Sequence, residues 1–214
     1  MATLLSLYNG ALSNIGERRL ANVSESREAR RELDEAYTGL VNYVLAKGYW
    51  RFAMRTTKIT YSPSIAPAFG YVRAYEKPAD LVRISKICQD EFLNTPSLQF
   101  QEDGNYWFGP TDDIYIQYVS NDAAYGGDLS RWPETFSKYV EAYLAAEVGP
   151  RLKPDSNVAA LTAAAKTLLA EAQAVDAMAG PTEFAPTGLW SSARGGRGFP
   201  GGRRDRGGRG QLIG

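Results

Sequence analysis

At 214 residues, with 44% apolar and 22% charged side chains, the chain is long enough to bury a core and has the composition of a soluble globular protein. It has no histidine and one cysteine, Cys88, which removes the commonest general base, the commonest metal ligand, a disulfide framework and a thiolate metal cluster. The net charge of zero is unevenly divided: residues 191–214 carry six arginines and one acid (+5), and residues 1–190 carry 18 basic and 23 acidic side chains (−5). An acidic body with a basic tail is the pattern of a tail that has a partner. No apolar run approaches the eighteen residues of a membrane span, and the first residues lack the layout of a signal peptide, so no membrane partner is expected and folding inside the cell is.

Residues 3–15 read as a short helix with Leu4, Tyr8, Ala11 or Leu12, and Ile15 on one side and Gly16 as its stop, although Asn9-Gly10 are poor helix formers. The stretch that organises the rest is Ser24 to Met54. Ser24 or Ser26 can cap a helix, and Glu25 and Glu28 suit its first turn. Ala29, Leu33, Ala36, Tyr37, Leu40, Val44 and Leu45 then recur at helical spacing, predicting one amphipathic helix that stops near Lys47-Gly48. Tyr49, Trp50 and Phe52 follow at once, an aromatic anchor expected between the helical core and what comes next.

From Arg55 the period changes to two. Thr57, Ile59 and Tyr61 alternate with polar residues, and further strand-like runs occur at 71–75, 81–87, 98–102, 105–108 and 114–119, with Asp103-Gly104 as a hairpin turn. This predicts a small antiparallel sheet or sandwich. The helical period returns at Ser130, with Trp132, Phe136, Tyr139 or Val140, Tyr143 or Leu144, and Val148 on one stripe, Pro133 in the first turn and Gly149-Pro150 as the end. Val158, Leu161, Ala165, Leu168, Ala172, Val175 and Ala179 then step 3-4-3-4-3-4, a seam expected to pack on the chain's own Ser24–Lys47 helix in preference to a neighbouring subunit. The predicted fold class is α+β: a discontinuous helical bundle core (1–54 and 130–180), an inserted antiparallel β domain (55–129), and a disordered Gly/Arg-rich tail (181–214).

Candidate chemistry is sparse. Asp112-Asp113 reads as a solvated turn, Glu102-Asp103 as the flank of a hairpin, and Cys88 as a small buried hydrophobe, since no histidine exists to activate it. No glycine loop of a nucleotide-binding kind precedes a helix. The expectation is a non-enzyme, with no catalytic residues, cofactor or metal. Thirteen tyrosines, most of them between 61 and 143, suit buried interfaces. Arg-Gly-Gly at 194–196 and 206–208, with Gly-Gly-Arg at 195–197, 201–203 and 207–209, suits nucleic acid or an acidic protein groove.

Several of these segments resemble one family. Leu12-x-x-Ile15-Gly16-Glu17, the helix with Ala29, Tyr37 and Leu40, and Trp50-x-Phe52-Ala53-x-Arg55 resemble the opening of the tail tubular protein A family, the head-to-tail adaptors of short-tailed phages. Tyr75-x-x-Pro78-x-Asp80-Leu81-x-Arg83 resembles its middle segment, with Lys77 where an apolar residue is usual. Trp132-Pro133-x-x-Phe136 and Ala142-x-Leu144-Ala145-Ala146 resemble its third block. The resemblance spans about residues 4–152. It implies a virion structural protein, made in the host cytoplasm, that forms a dodecameric ring between the portal protein and the tail nozzle protein, near the tail fibres, with a lumen through which DNA passes without sequence-specific binding. Trp50, Phe52, Trp132 and Phe136 are the expected structural anchors. The tail lies outside the resemblance, and Arg194, Arg197, Arg203, Arg204, Arg206 and Arg209 are expected to form a portal-binding arm, arginine forks meeting carboxylates. The alternative is a nucleic-acid-binding protein acting through the same tail, and a third option is an enzyme with a carboxylate-only site.

Overall fold

A computed structural model describes residues 2–67, 70–97 and 99–180; the tail expected over 181–214, with its six arginines, lies outside the described residues. Helix α1 (Leu4–Ile15) is capped by Thr3 and Ser6, which bond reciprocally to each other's backbone N–H, and it ends on Gly16 at φ 72°. Its two poor helix formers have structural uses. Asn9 pairs by its side chain with both backbone groups of Leu20, at 2.7 and 3.1 Å, and Gly10 leaves room for the side chain of Glu141, which a Cβ there would strike.

The predicted single helix over Ser24–Lys47 is two helices, α2 (Glu28–Tyr37) and α3 (Leu40–Leu45). Gly39 at φ 81° breaks the ladder between them, and the start is at Arg27, with no serine cap. The apolar spacing survives the break: Ala29, Leu33, Leu40, Val44 and Leu45 are all buried. Arg27 holds the preceding connector by donating to the carbonyls of Arg18 and Arg19.

Six strands follow: β1 (Met54–Thr60), β2 (Arg73–Glu76), β3 (Leu81–Cys88), β4 (Gln101–Asp103), β5 (Tyr106–Gly109) and β6 (Asp113–Ser120). They make two antiparallel three-stranded sheets, ordered β1-β6-β3 and β2-β5-β4. The β4–β5 turn is Gly104-Asn105, one residue later than expected, with positive φ at Gly104 alone. Ile114, Ile116 and Tyr118, alternate residues of β6, join Ile87 of the same sheet and Tyr75 and Trp107 of the other in one apolar cluster.

Helix α4 (Glu134–Leu152) starts after Pro133 and runs past Gly149-Pro150, because a proline so near the end forfeits a single bond and Lys153 N–H still reaches Gly149 O. Helix α5 (Val158–Met178) is capped by the Asn157 side chain. The helices share a core that also takes in Val119, with Met54 and Val82 packed against it, so the described residues up to Ala179 form one compact unit. The result is an α+β fold.

Trp50 and Phe136 are the centre of that core. The Trp50 ring meets Phe136 edge-on at 4.7 Å and its Nε1 donates to Val44 O at 3.1 Å. Trp132 packs on Phe136 at 4.9 Å and donates Nε1 to Gly126 O at 2.9 Å. Phe52, the fourth expected anchor, touches Phe136 at 4.9 Å but is only partly buried.

Candidate interaction surface

The residues that carry the family resemblance do their work inside the fold. Asp80, in the loop before β3, accepts from Arg55 Nη1 at 2.8 Å, from the Tyr118 hydroxyl at 3.1 Å and from the Ser120 hydroxyl, tying β1, β3 and β6 at the end nearest the helices. Burial pushes the Asp80 carboxyl up, but the bonds from Ser120, Arg55 and Tyr118 outweigh it and hold the group below its ordinary range. Burial and the Asp80 charge raise the Tyr118 hydroxyl. Arg83 of β3 reaches the helices, with Nη1 on Ala46 O at 3.0 Å and its guanidinium 4.2 Å from the Tyr49 ring centroid. Leu12, Leu144 and Ala145 are fully buried. Sequence reading flagged Arg55 and Asp80 but missed Tyr118 and Ser120, which are distant in the chain and signalled only by the alternation of β6.

The candidate chemical residues are engaged in local structure. Asp112 pairs with Arg73 at 2.6 Å, Asp113 with Lys58 at 2.8 Å, and Glu102 with Lys77 at 2.5 Å. Cys88 is buried where β3 bridges to Pro96, and burial raises its thiol. Among the described residues there is no cluster of three His, Cys, Asp or Glu side chains placed to hold a metal ion.

What the fold leaves open is α5. Only Ala165 and Ala172 of its 21 residues are buried, Ala172 within the core and Leu161, Leu168 and Leu169 partly buried against it. The rest of the expected seam is not covered: Val158 is 40% exposed and Val175 38%. The helix packs mainly on α4 in place of the expected Ser24–Lys47 partner, whose apolar residues are buried in the core shared with α1 and α4; it touches that segment through Gln173, which donates to Lys47 O at 2.8 Å, and just beyond it Asp176 accepts from Arg51 N. On the face opposite Ala165 and Ala172, Ala163, Thr167, Ala170 and Ala174 are exposed at 4-3-4 spacing. Small residues there permit close approach of another helix.

Along one flank of α5 runs a groove of about 470 Å³, walled by Tyr43, Tyr139, Tyr143, Ala165 and Leu169. Tyr43 and Tyr143 lie 5.2 Å apart and Lys47 Nζ stands 4.2 Å above the Tyr43 ring. Burial pushes Tyr139 and Tyr143 up to about 12, so both stay neutral phenols that can donate hydrogen bonds. An apolar wall with a few oriented hydroxyls is the make-up of an interface core. These tyrosines belong to two helices, α3 and α4, and only their number pointed to an interface.

By length and mean hydropathy (1.2) α5 is also apolar enough to cross a bilayer, with 11% of its window buried. Lys166, Glu171 and Asp176 interrupt it, each costing ~2.5–3.5 kcal/mol at a bilayer centre, and one face is packed on α4, so a protein surface accounts for it better. Comparison with known proteins finds no matching family model and no matching curated sequence.

Proposed function

We propose that this chain is a structural adaptor of a short-tailed phage: copies assemble side by side into a dodecameric ring between portal and tail nozzle, with DNA crossing the lumen. The observation that carries the reading is α5, a 21-residue apolar helix with two buried residues, which is more apolar surface than a lone subunit needs. The ordered set of motifs over residues 4–152 supports the family, and their residues make a rigid body: the Trp50–Phe136 core joins the helices, and the Asp80 clamp ties the strands of the β1-β6-β3 sheet together, the stiffness that a ring under mechanical load requires. The reading takes the outer face of α5 and the tyrosine groove as the contact with a second copy. It assigns the six tail arginines, Arg194 to Arg209, to the portal. It includes no catalytic step, no cofactor and no metal, and it places the protein in the virion tail.

Electron microscopy of the purified chain, alone and mixed with portal, tests this. Rings, or rings that form on portal, are expected; a monomer in both samples overturns the reading. A second reading rests on the +5 charge of residues 191–214, which suits nucleic acid through phosphate contacts. Deleting 191–214 separates the two. Loss of portal binding with the ring intact supports the adaptor; loss of DNA affinity with portal docking unchanged supports the nucleic-acid reading.

A further inference from the structure

Between α3, the start of β3 and the C-terminal end of α5 lies a second cleft, of about 490 Å³, which shares Lys47 with the tyrosine groove. Three cations, Lys47, Arg51 and Arg83, line it together with Tyr49, which is 48% exposed. Elsewhere Arg55, Lys58, Arg73 and Lys77 each pair with a carboxylate. Among the described residues Lys47, Arg51 and Arg83 form no ion pair, although the body holds 23 acids to 18 bases. Arg83 uses one N–H on Ala46 O and lies against the Tyr49 ring, which leaves donors of its fork unassigned. The lining has one carboxylate, Asp176, which already accepts the Arg51 backbone N–H at 3.1 and 3.3 Å. Partial burial raises that carboxyl above its ordinary value.

We infer that this cleft binds the backbone of single-stranded nucleic acid, with Lys47, Arg51 and Arg83 on phosphates and a base stacked on Tyr49. Clustered cations around an exposed aromatic ring are what such strands require, a charged track for the phosphates and a flat face for the bases. An acidic protein segment would use the cations but not the ring. The inference does not depend on the adaptor reading, and it concerns a site on the folded body, apart from the tail arginines.

The test uses the full-length protein and a labelled mixed-sequence single-stranded oligonucleotide, titrated by fluorescence anisotropy across a salt series. In Lys47→Ala/Arg51→Ala the backbone bonds of both positions persist, so the melting temperature should hold. The slope of log K against log salt should become shallower by about 0.7 per lost contact, or about 1.4 for the pair, while the tail is unchanged. Tyr49→Ala should weaken binding about tenfold with the slope unchanged. As a control, Arg18→Ala/Arg19→Ala removes two exposed cations outside the cleft and should leave the slope as in wild type. Equal slopes for wild type and the cleft variant overturn the inference. So does an equal loss in the control, which would mark a general charge effect, and so does displacement of the strand by polyglutamate at matched charge, which would mark a site for acidic protein.

Discussion

Helices α4 and α5 are nearly equal in length, 19 and 21 residues, and lie against each other, yet ten residues of α4 are buried and two of α5. Composition points the other way. Helix α5 is largely alanine, valine and leucine, whereas buried α4 carries Ser137 and Glu141. Position decides: α4 is packed by α1, α2 and α5, whereas α5 has α4 as its main partner and meets Lys47 and Arg51 only through Gln173 and Asp176. The comparison teaches that the apolar surface of α4 is consumed by folding, while much of that of α5 is in excess of folding and available to a partner. Substitutions on α4 and its contacts should therefore cost stability, and substitutions on the outside of α5 should cost assembly.

The sharpest break is at the centre of the α4 core. Trp50→Ala removes a fully buried ring from Phe136 and one of the two hydrogen bonds to the Val44 carbonyl; it should cost about 3–5 kcal/mol, measured by urea unfolding. A variant melting within a degree or two of wild type would place Trp50 outside the core after all.

Next is the clamp that ties the strands of the β1-β6-β3 sheet together. Asp80→Asn should cost about 2–3 kcal/mol at neutral pH, since Arg55 loses its charge partner and Tyr118 and Ser120 lose an ionised acceptor. The Asp80 carboxyl is depressed in the folded state. Its contribution is thus complete above the unfolded value of about 3.9 and lost as pH falls through the lower folded value. In an acid titration the gap between wild type and Asp80→Asn should narrow below about pH 4; a gap that stays constant to lower pH contradicts the assignment.

The inner face of α5 is intermediate. Ala165→Leu and Ala172→Leu overfill its closest approach to the core and should each cost about 1–3 kcal/mol, read as a lowered denaturation midpoint. Smallest in stability is the outer face: Ala163→Glu and Ala170→Glu should stay within about 0.5 kcal/mol of wild type in the same unfolding experiment.

Much of the fold was legible because the periods were clean. The switch from 3.6 to 2 at Arg55 and back near Ser130 marks where helices give way to strands, and the alternation in 114–119 identifies the buried face of β6. What failed were places where tertiary contacts outrank spacing. Nothing in the local pattern says that Gly39 will adopt φ 81° and split a helix whose apolar stripe continues across it. Gly149-Pro150 looks like a stop, but its missing N–H falls where a helix is ending in any case. Asn9-Gly10 look like defects until Leu20 and Glu141 are seen beside them. The candidate surface was half legible. The 3-4 repeat of 158–179 identified α5 as a packing helix, but a repeat cannot say which of its faces the same chain covers, and the tyrosines of the groove meet only in three dimensions.

The central claim is that the outer face of α5 is where copies of this chain meet. Sedimentation equilibrium of the full-length protein over a wide concentration range, beside Ala163→Glu/Ala170→Glu, tests it directly. The account predicts that wild type, alone or with portal added, reaches a closed multi-subunit mass, and that the double variant remains a folded monomer with the wild-type melting temperature. A double variant that assembles as wild type does, or a wild type that stays monomeric at every concentration both alone and with portal, contradicts it.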